Sequence, residues 1–198
     1  MEIPYTIEPR PDTGVTNAAL GMWLFIASEV MLFGSLFSSY ALLRIGAASW
    51  PDQSATLNVP LAAVNTVILI ASSVAILRSS NAAERGSAAG FRRAMGLAIV
   101  AGVTFLAVKA VEYRGELAGG VIPATNNFIG LYFTLTGLHA LHVLAGVMVN
   151  AYLWIGSASL SDSATGGRHF AVRVRMAALY WNFIDLVWIT MFVVLYLL

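Results

Sequence analysis

The chain has 198 residues, of which 59% are hydrophobic and only 11% charged, and its formal net charge is +1. So little polar surface excludes a soluble domain of this length and places the chain in a membrane. The small net charge suggests no nucleic-acid partner, and the lack of cysteine excludes disulfides, iron–sulfur clusters, thiolate-bound copper and covalently attached c-type haem.

Residues 1–16, MEIPYTIEPRPDTGVT, have neither a basic leader nor an apolar core, and are expected to form a short tail rather than a signal peptide. Five apolar runs follow, each able to cross about 30 Å of hydrocarbon at about 1.5 Å per residue. The first, 17–43, contains GMWLFIASEVMLFG. Its Glu29 falls about 16 Å along the helix, near mid-depth. A charged side chain there costs about 2.5–3.5 kcal/mol and needs compensation or a use. Two readings of Glu29 stand: a buried acid hydrogen-bonded to the fourth helix, or a proton-relay, lipid-headgroup or inhibitor site.

The second run, 59–79, carries Ala71 and Ala75 four residues apart, as the first carries Gly34 and Ser38. Such spacing suits close helix approach in lipid. The third, 91–112, ends in KAVEY, where Lys109 and Glu112 at i, i+3 read as a neutralising pair at the membrane edge. The fourth, 127–156, contains GLHALHVLAG, with His139 and His142 on one face. Interhelical hydrogen bonding is the default reading of that pair. A shared metal would need a third ligand, and only Glu29 offers itself. The fifth, 170–197, contains YWNFIDLVW, which puts Trp181, Asn182 and Trp188 on the face of Asp185. An indole N–H donating to the Asp185 carboxylate is the simplest arrangement.

The expected fold is therefore all-α, an integral membrane bundle of five transmembrane helices forming one domain over 17–198. The polar connections between the runs are RIGAASWPDQSATLN, SSNAAERGSAAG, YRGELAGGVIPAT and SASLSDSATGG. Arg10, Arg78, Arg85, Arg92, Arg93, Arg168, Arg173 and Arg175 fall on one side, against Arg44, Lys109 and Arg114 on the other. That asymmetry predicts a cytoplasmic N-terminus and an external C-terminus. On composition alone, a small transporter is as good a reading as an accessory subunit, although no paired Gly or Pro breaks interrupt the spans.

Three motifs together, GMWLFIASEVMLFG at 21–34, GLHALHVLAG at 137–146 and YWNFIDLVW at 180–188, supported by VEY at 111–113, resemble subunit III of the haem–copper oxidases, in the cytochrome c oxidase branch. The resemblance covers residues 20–198 and points to the short five-helix form, which lacks the first two helices of seven-helix members. It implies that Glu29 matches the family's carbodiimide-reactive carboxylate. Ubiquinol-oxidising relatives often have Asp there, so Glu favours the cytochrome c type. It also implies a non-catalytic subunit with no catalytic or metal-ligating residue, haem and copper being held by partner subunits. Further implications are packing on catalytic subunit I, bound phospholipid, support of proton uptake, and residence in a bacterial inner membrane. The sequence agrees independently, because histidines 139, 142 and 169 are too few for two haems and a copper. One departure is Asn182, where the family commonly has His; an amide cannot titrate. The rival family reading is a five-helix accessory protein of nitric oxide reductase.

Overall fold

Four of the helices begin on a side chain that satisfies an N–H of the first turn, as helix starts require. Thr16 accepts from Ala19 N at 3.2 Å, Asn58 from Leu61 N at 3.1 Å, Ser87 from Gly90 N at 3.3 Å and Asn126 from Ile129 N at 2.9 Å. The structure, a computed structural model, describes residues 8–51, 57–157 and 164–198. Its helices are α1 (Asn17–Gly46), α2 (Val59–Glu84), α3 (Ala88–Ala118), α4 (Asn127–Ile155) and α5 (Ala164–Phe192), with a π-helical turn over Val193–Leu197. All five are long and apolar enough to cross a membrane, and the described residues contain no strand. Parts of the 1–16 tail and of two expected connections, over 1–7, 52–56 and 158–163, lie outside the described residues.

The helices outrun the apolar stretches. SSNAAERGSAAG was expected as a connection, yet α2 continues to Glu84 and α3 starts at Ala88. Alanine and polar residues hold a helix well once its apolar part is anchored. Only Arg85–Ser87 separate the two helices. Gly86 makes the turn at φ 68°, its N–H donating to Ala83 O at 3.0 Å. A left-handed backbone of that kind favours glycine.

Helices α2, α3, α4 and α5 form a ring in chain order, and α1 lies outside it on the seam between α4 and α5. The apolar stretch of α5 is 50% buried and that of α1 only 11%, so α5 is the hub and α1 the periphery. Trp181 of α5 crosses the ring. A Cβ added to Gly102 of α3 would stand 2.7 Å from its indole, and one added to Gly146 of α4 would stand 2.9 Å away. The close approach is therefore made at Gly102 and Gly146. Gly34 has nothing within 4 Å of its Cβ position, and the exposed Ser38 donates back to Gly34 O at 2.8 Å.

Both ends of the bundle are clamped. Tyr40 of α1 donates to Val194 O at 3.2 Å, and Arg44 reaches Tyr40 Oη and the backbone oxygen of Leu198. The acceptors are carbonyls of the π-helical turn and the residue after it. At the other end Arg92 of α3 donates to Ser157 Oγ at 2.7 Å and stacks 4.4 Å over the Trp154 ring, whose N–H returns to Arg92 O at 2.9 Å.

Candidate functional site

The polar residues within the spans form three separate groups rather than one. The first joins α1 to α4. Glu29 Oε2 lies 2.9 Å from His142 Nε2, and His142 Nδ1 lies 2.8 Å from Leu138 O. A carbonyl only accepts, so Nδ1 carries hydrogen, and the 2.9 Å contact must hold one further proton. Whether it sits on imidazole or carboxyl, the pair is neutral overall. Both side chains are mostly buried, Glu29 12% and His142 16% exposed. Phe33 meets the imidazole edge-on at 5.3 Å, and Tyr180 donates to His142 O at 3.0 Å. Beside this pair, an apolar cleft of about 530 Å³ opens between α1, α4 and α5. Met22, Phe25, Val149, Tyr152 and Tyr180 line it, together with Arg173.

His139 does not share that site. Positions i and i+3 are about 60° apart around a helix, enough to aim them at different neighbours. His139 is fully buried, between Phe105 at 5.5 Å and Trp188 at 5.2 Å, and neither ring nitrogen has a hydrogen-bond partner. Among the described residues, no three His, Asp or Glu side chains come together to hold a metal.

The second group zips α2 to α5. Asp185 is 4% exposed, and its Oδ2 accepts from Ser73 Oγ. The expected indole donors go elsewhere: Trp181 Nε1 donates to Ser72 Oγ and Trp188 Nε1 to Thr66 Oγ1, both at 2.9 Å. Ser72 and Thr66 donate their own protons to Leu69 O and Ala62 O, which leaves their lone pairs free for the indoles. Asn182, on the same helix, donates to Ala178 O at 2.8 Å and joins no interhelical bond. The sequence reading passed over Thr66, Ser72 and Ser73. Their signal is the seven-residue spacing of Thr66 and Ser73, which puts both on one face of α2, while Ser72 lies about 120° around the helix from Thr66.

The third group lies where α3, α4 and the end of α5 meet. Lys109 and Glu112 pair at 2.9 Å and are 3% and 6% exposed. Lys109 Nζ also lies 3.2 Å from Tyr132 Oη and 2.9 Å from Tyr196 Oη. Four aromatic rings, of Tyr113, Tyr132, Trp188 and Tyr196, have their centres 5.2–5.6 Å from the ammonium. Glu112 Oε1 lies 3.0 Å from Tyr132 Oη and 2.9 Å from Tyr196 Oη, and Glu116 Oε1 lies 2.9 Å from Tyr132 Oη. Thr136 bonds Tyr113 at its edge. The sequence showed the Lys109–Glu112 pair but not Glu116, Tyr132 or Tyr196, which only helix packing brings in.

The motifs can be set beside known proteins. The family model described as cytochrome c oxidase subunit III matches residues 12–198. A cytochrome c oxidase subunit 3 from Corynebacterium diphtheriae is 36% identical over 181 residues, covering 90% of this chain and 86% of that one. A cytochrome c oxidase subunit 3 from Thermostichus vulcanus is 33% identical, with 90% and 86% covered. A cytochrome bo(3) ubiquinol oxidase subunit 3 from Pseudomonas aeruginosa is 29% identical, covering 100% of this chain and 92% of its own.

Proposed function

We propose, since this chain belongs to the cytochrome c oxidase subunit III family, that it is the redox-inactive subunit of a proton-translocating haem–copper oxidase in a bacterial inner membrane. In this reading it packs on catalytic subunit I and holds phospholipid. Haem and copper sit on partner chains. One observation carries the assignment of chemistry elsewhere: His142 is committed to Glu29 and His139 to an aromatic core, which leaves no set of imidazoles for a haem or a copper. The positive-inside asymmetry supports a cytoplasmic 1–16 tail before a single five-helix domain. The cleft beside Glu29 suits an acyl chain, with Arg173 at its rim for an anionic headgroup.

The pigment spectrum of the affinity-purified complex tests the assignment. Haem a with copper is expected. Haem b with haem c would point to a nitric oxide reductase, and a homogeneous haem-free protein to an autonomous transporter.

Glu29 is read here as a structural and lipid-holding residue. Among the described residues no chain of acids or bases leads from it to the arginine-rich end; its polar neighbours are His142 and, through the His142 carbonyl, Tyr180. Glu29→Ala should therefore leave the initial oxygen-reduction rate within about threefold, roughly 0.7 kcal/mol of barrier. The number of turnovers before inactivation should fall instead. Oxygen-electrode traces followed to exhaustion read both quantities, and immediate loss of activity with subunit content intact would make Glu29 a proton carrier.

A further inference from the structure

We infer that the Lys109 cluster is a single-proton binding site, holding one proton beyond those of its two tyrosine hydroxyls, on Glu116 and shared with Tyr132. Four oxygen–oxygen contacts lie within the cluster: Tyr132 to Glu112, Tyr132 to Glu116 and Tyr196 to Glu112 at 2.9–3.0 Å, and Tyr196 to Tyr132 at 3.3 Å, where two hydroxyls converge on the same ammonium and the same carboxylate oxygen. For the three shorter contacts to be hydrogen bonds three hydrogens are needed, and the two hydroxyls supply only two. Lys109 cannot lend the third, because its three N–H groups are spent on Glu112 Oε2, Tyr132 Oη and Tyr196 Oη.

Placing the third proton on Glu116 closes the count. Tyr132 Oη then accepts from Lys109 and Glu116 and gives its own hydrogen to Glu112. Tyr196 accepts from Lys109 and also donates to Glu112. Glu112 accepts from three donors, one of them the ammonium, and is the best supplied with donors of the two carboxyls. Glu116 has no cation within hydrogen-bonding distance, and its Oε2 is buried with no partner. An ionised carboxylate with an orphaned buried oxygen is costly, whereas a neutral acid tolerates it. One ammonium, one carboxylate and one acid also leave the junction with no net charge, as a group inside a membrane bundle should be.

The groups facing the site are Lys109, Glu112, Tyr113 and Glu116 from α3, Tyr132 from α4 and Tyr196 from α5. Tyr40 and Arg44 of α1 approach the same end but bond the backbone of the π-helical turn and Leu198. Glu116 is half-buried, the least enclosed of the carboxyls here.

Infrared spectra of the purified complex in light and heavy water test the site. Wild type minus Glu116→Gln should show the loss of one deuterium-sensitive carboxylic C=O band, with the subunit present at normal yield, because the amide can donate to Tyr132 as the acid did. A variant spectrum retaining every acid band of the wild type would overturn the assignment. Should Glu116→Gln fail to assemble, Tyr132→Phe offers the second reading. Removing the acceptor should shift one acid band to higher frequency, and an unshifted set of bands would overturn the proposal equally.

Discussion

Lys109→Met, made alone, should strip this subunit from its complex, and adding Glu112→Gln should return it. Removing one partner of a buried ion pair typically costs about 3–5 kcal/mol, because the other charge is left uncompensated. Here that charge is Glu112, 6% exposed and shielded by rings that offer no second cation. Tyr132 and Tyr196 would also lose a donor each. The double variant removes both charges and keeps a polar group for the two tyrosines, and such neutral replacements of buried pairs cost little. Co-purification of the subunit with the tagged complex reads the result. Wild-type yield of Lys109→Met would mean that the ammonium contributes nothing to the junction of α3, α4 and α5.

Gly102→Leu should abolish assembly, by a different route. A Cβ at this position already stands 2.7 Å from Trp181 Cη2 and 2.8 Å from Val147 Cγ2. The indole has nowhere to retreat. Its other flank rests on Gly146, and its N–H is tied to Ser72 on α2. Overpacking of a well-filled core costs about 1–3 kcal/mol for a few methylenes and more where the neighbours cannot yield. Gly102→Ala should lower the temperature of half-inactivation, even though alanine is the better helix former by about 1 kcal/mol. Gly115→Ala, on the same helix with nothing within 4 Å, is the control and should hold or raise it. Equal thermal behaviour of the two alanine variants would show that the ring of helices relaxes around Trp181.

These two positions illustrate what a single sequence conveys. The starts of α1, α2 and α4 coincide with the apolar onsets at 17, 59 and 127, whereas α3 starts three residues and α5 six residues before the onsets at 91 and 170. The ends of α2 and α3 lie beyond their apolar runs, since the polar stretches SNAAE and YRGELA continue them to Glu84 and Ala118. Charged and titratable residues within the spans stand out in an apolar chain, as Glu29, Lys109, His139, His142 and Asp185 do. Their partners were harder. Ser73 and Tyr196 are ordinary residues in sequence, and Tyr196 reaches Lys109 only at the π-helical turn that ends α5. Gly34 and Ser38 have packing-motif spacing yet meet nothing in the bundle, whereas Gly102 follows the buried Ala98 by the same four residues and Gly146 has no small residue four positions away.

The peripheral place of α1 has a consequence for biosynthesis. Its anchors are late in the chain: His142 follows Glu29 by 113 residues, and Val194 follows Tyr40 by 154. At about 5–20 residues per second, Glu29 waits roughly 6–23 s for its imidazole to be made. Meanwhile α2 and α3, separated by three residues, can pair as soon as they emerge. Helix α1, made before the other four, is thus the last of the five to find its place. Until then it is a lone span with an unpartnered acid, the form most open to capture by an insertion chaperone or by membrane quality control.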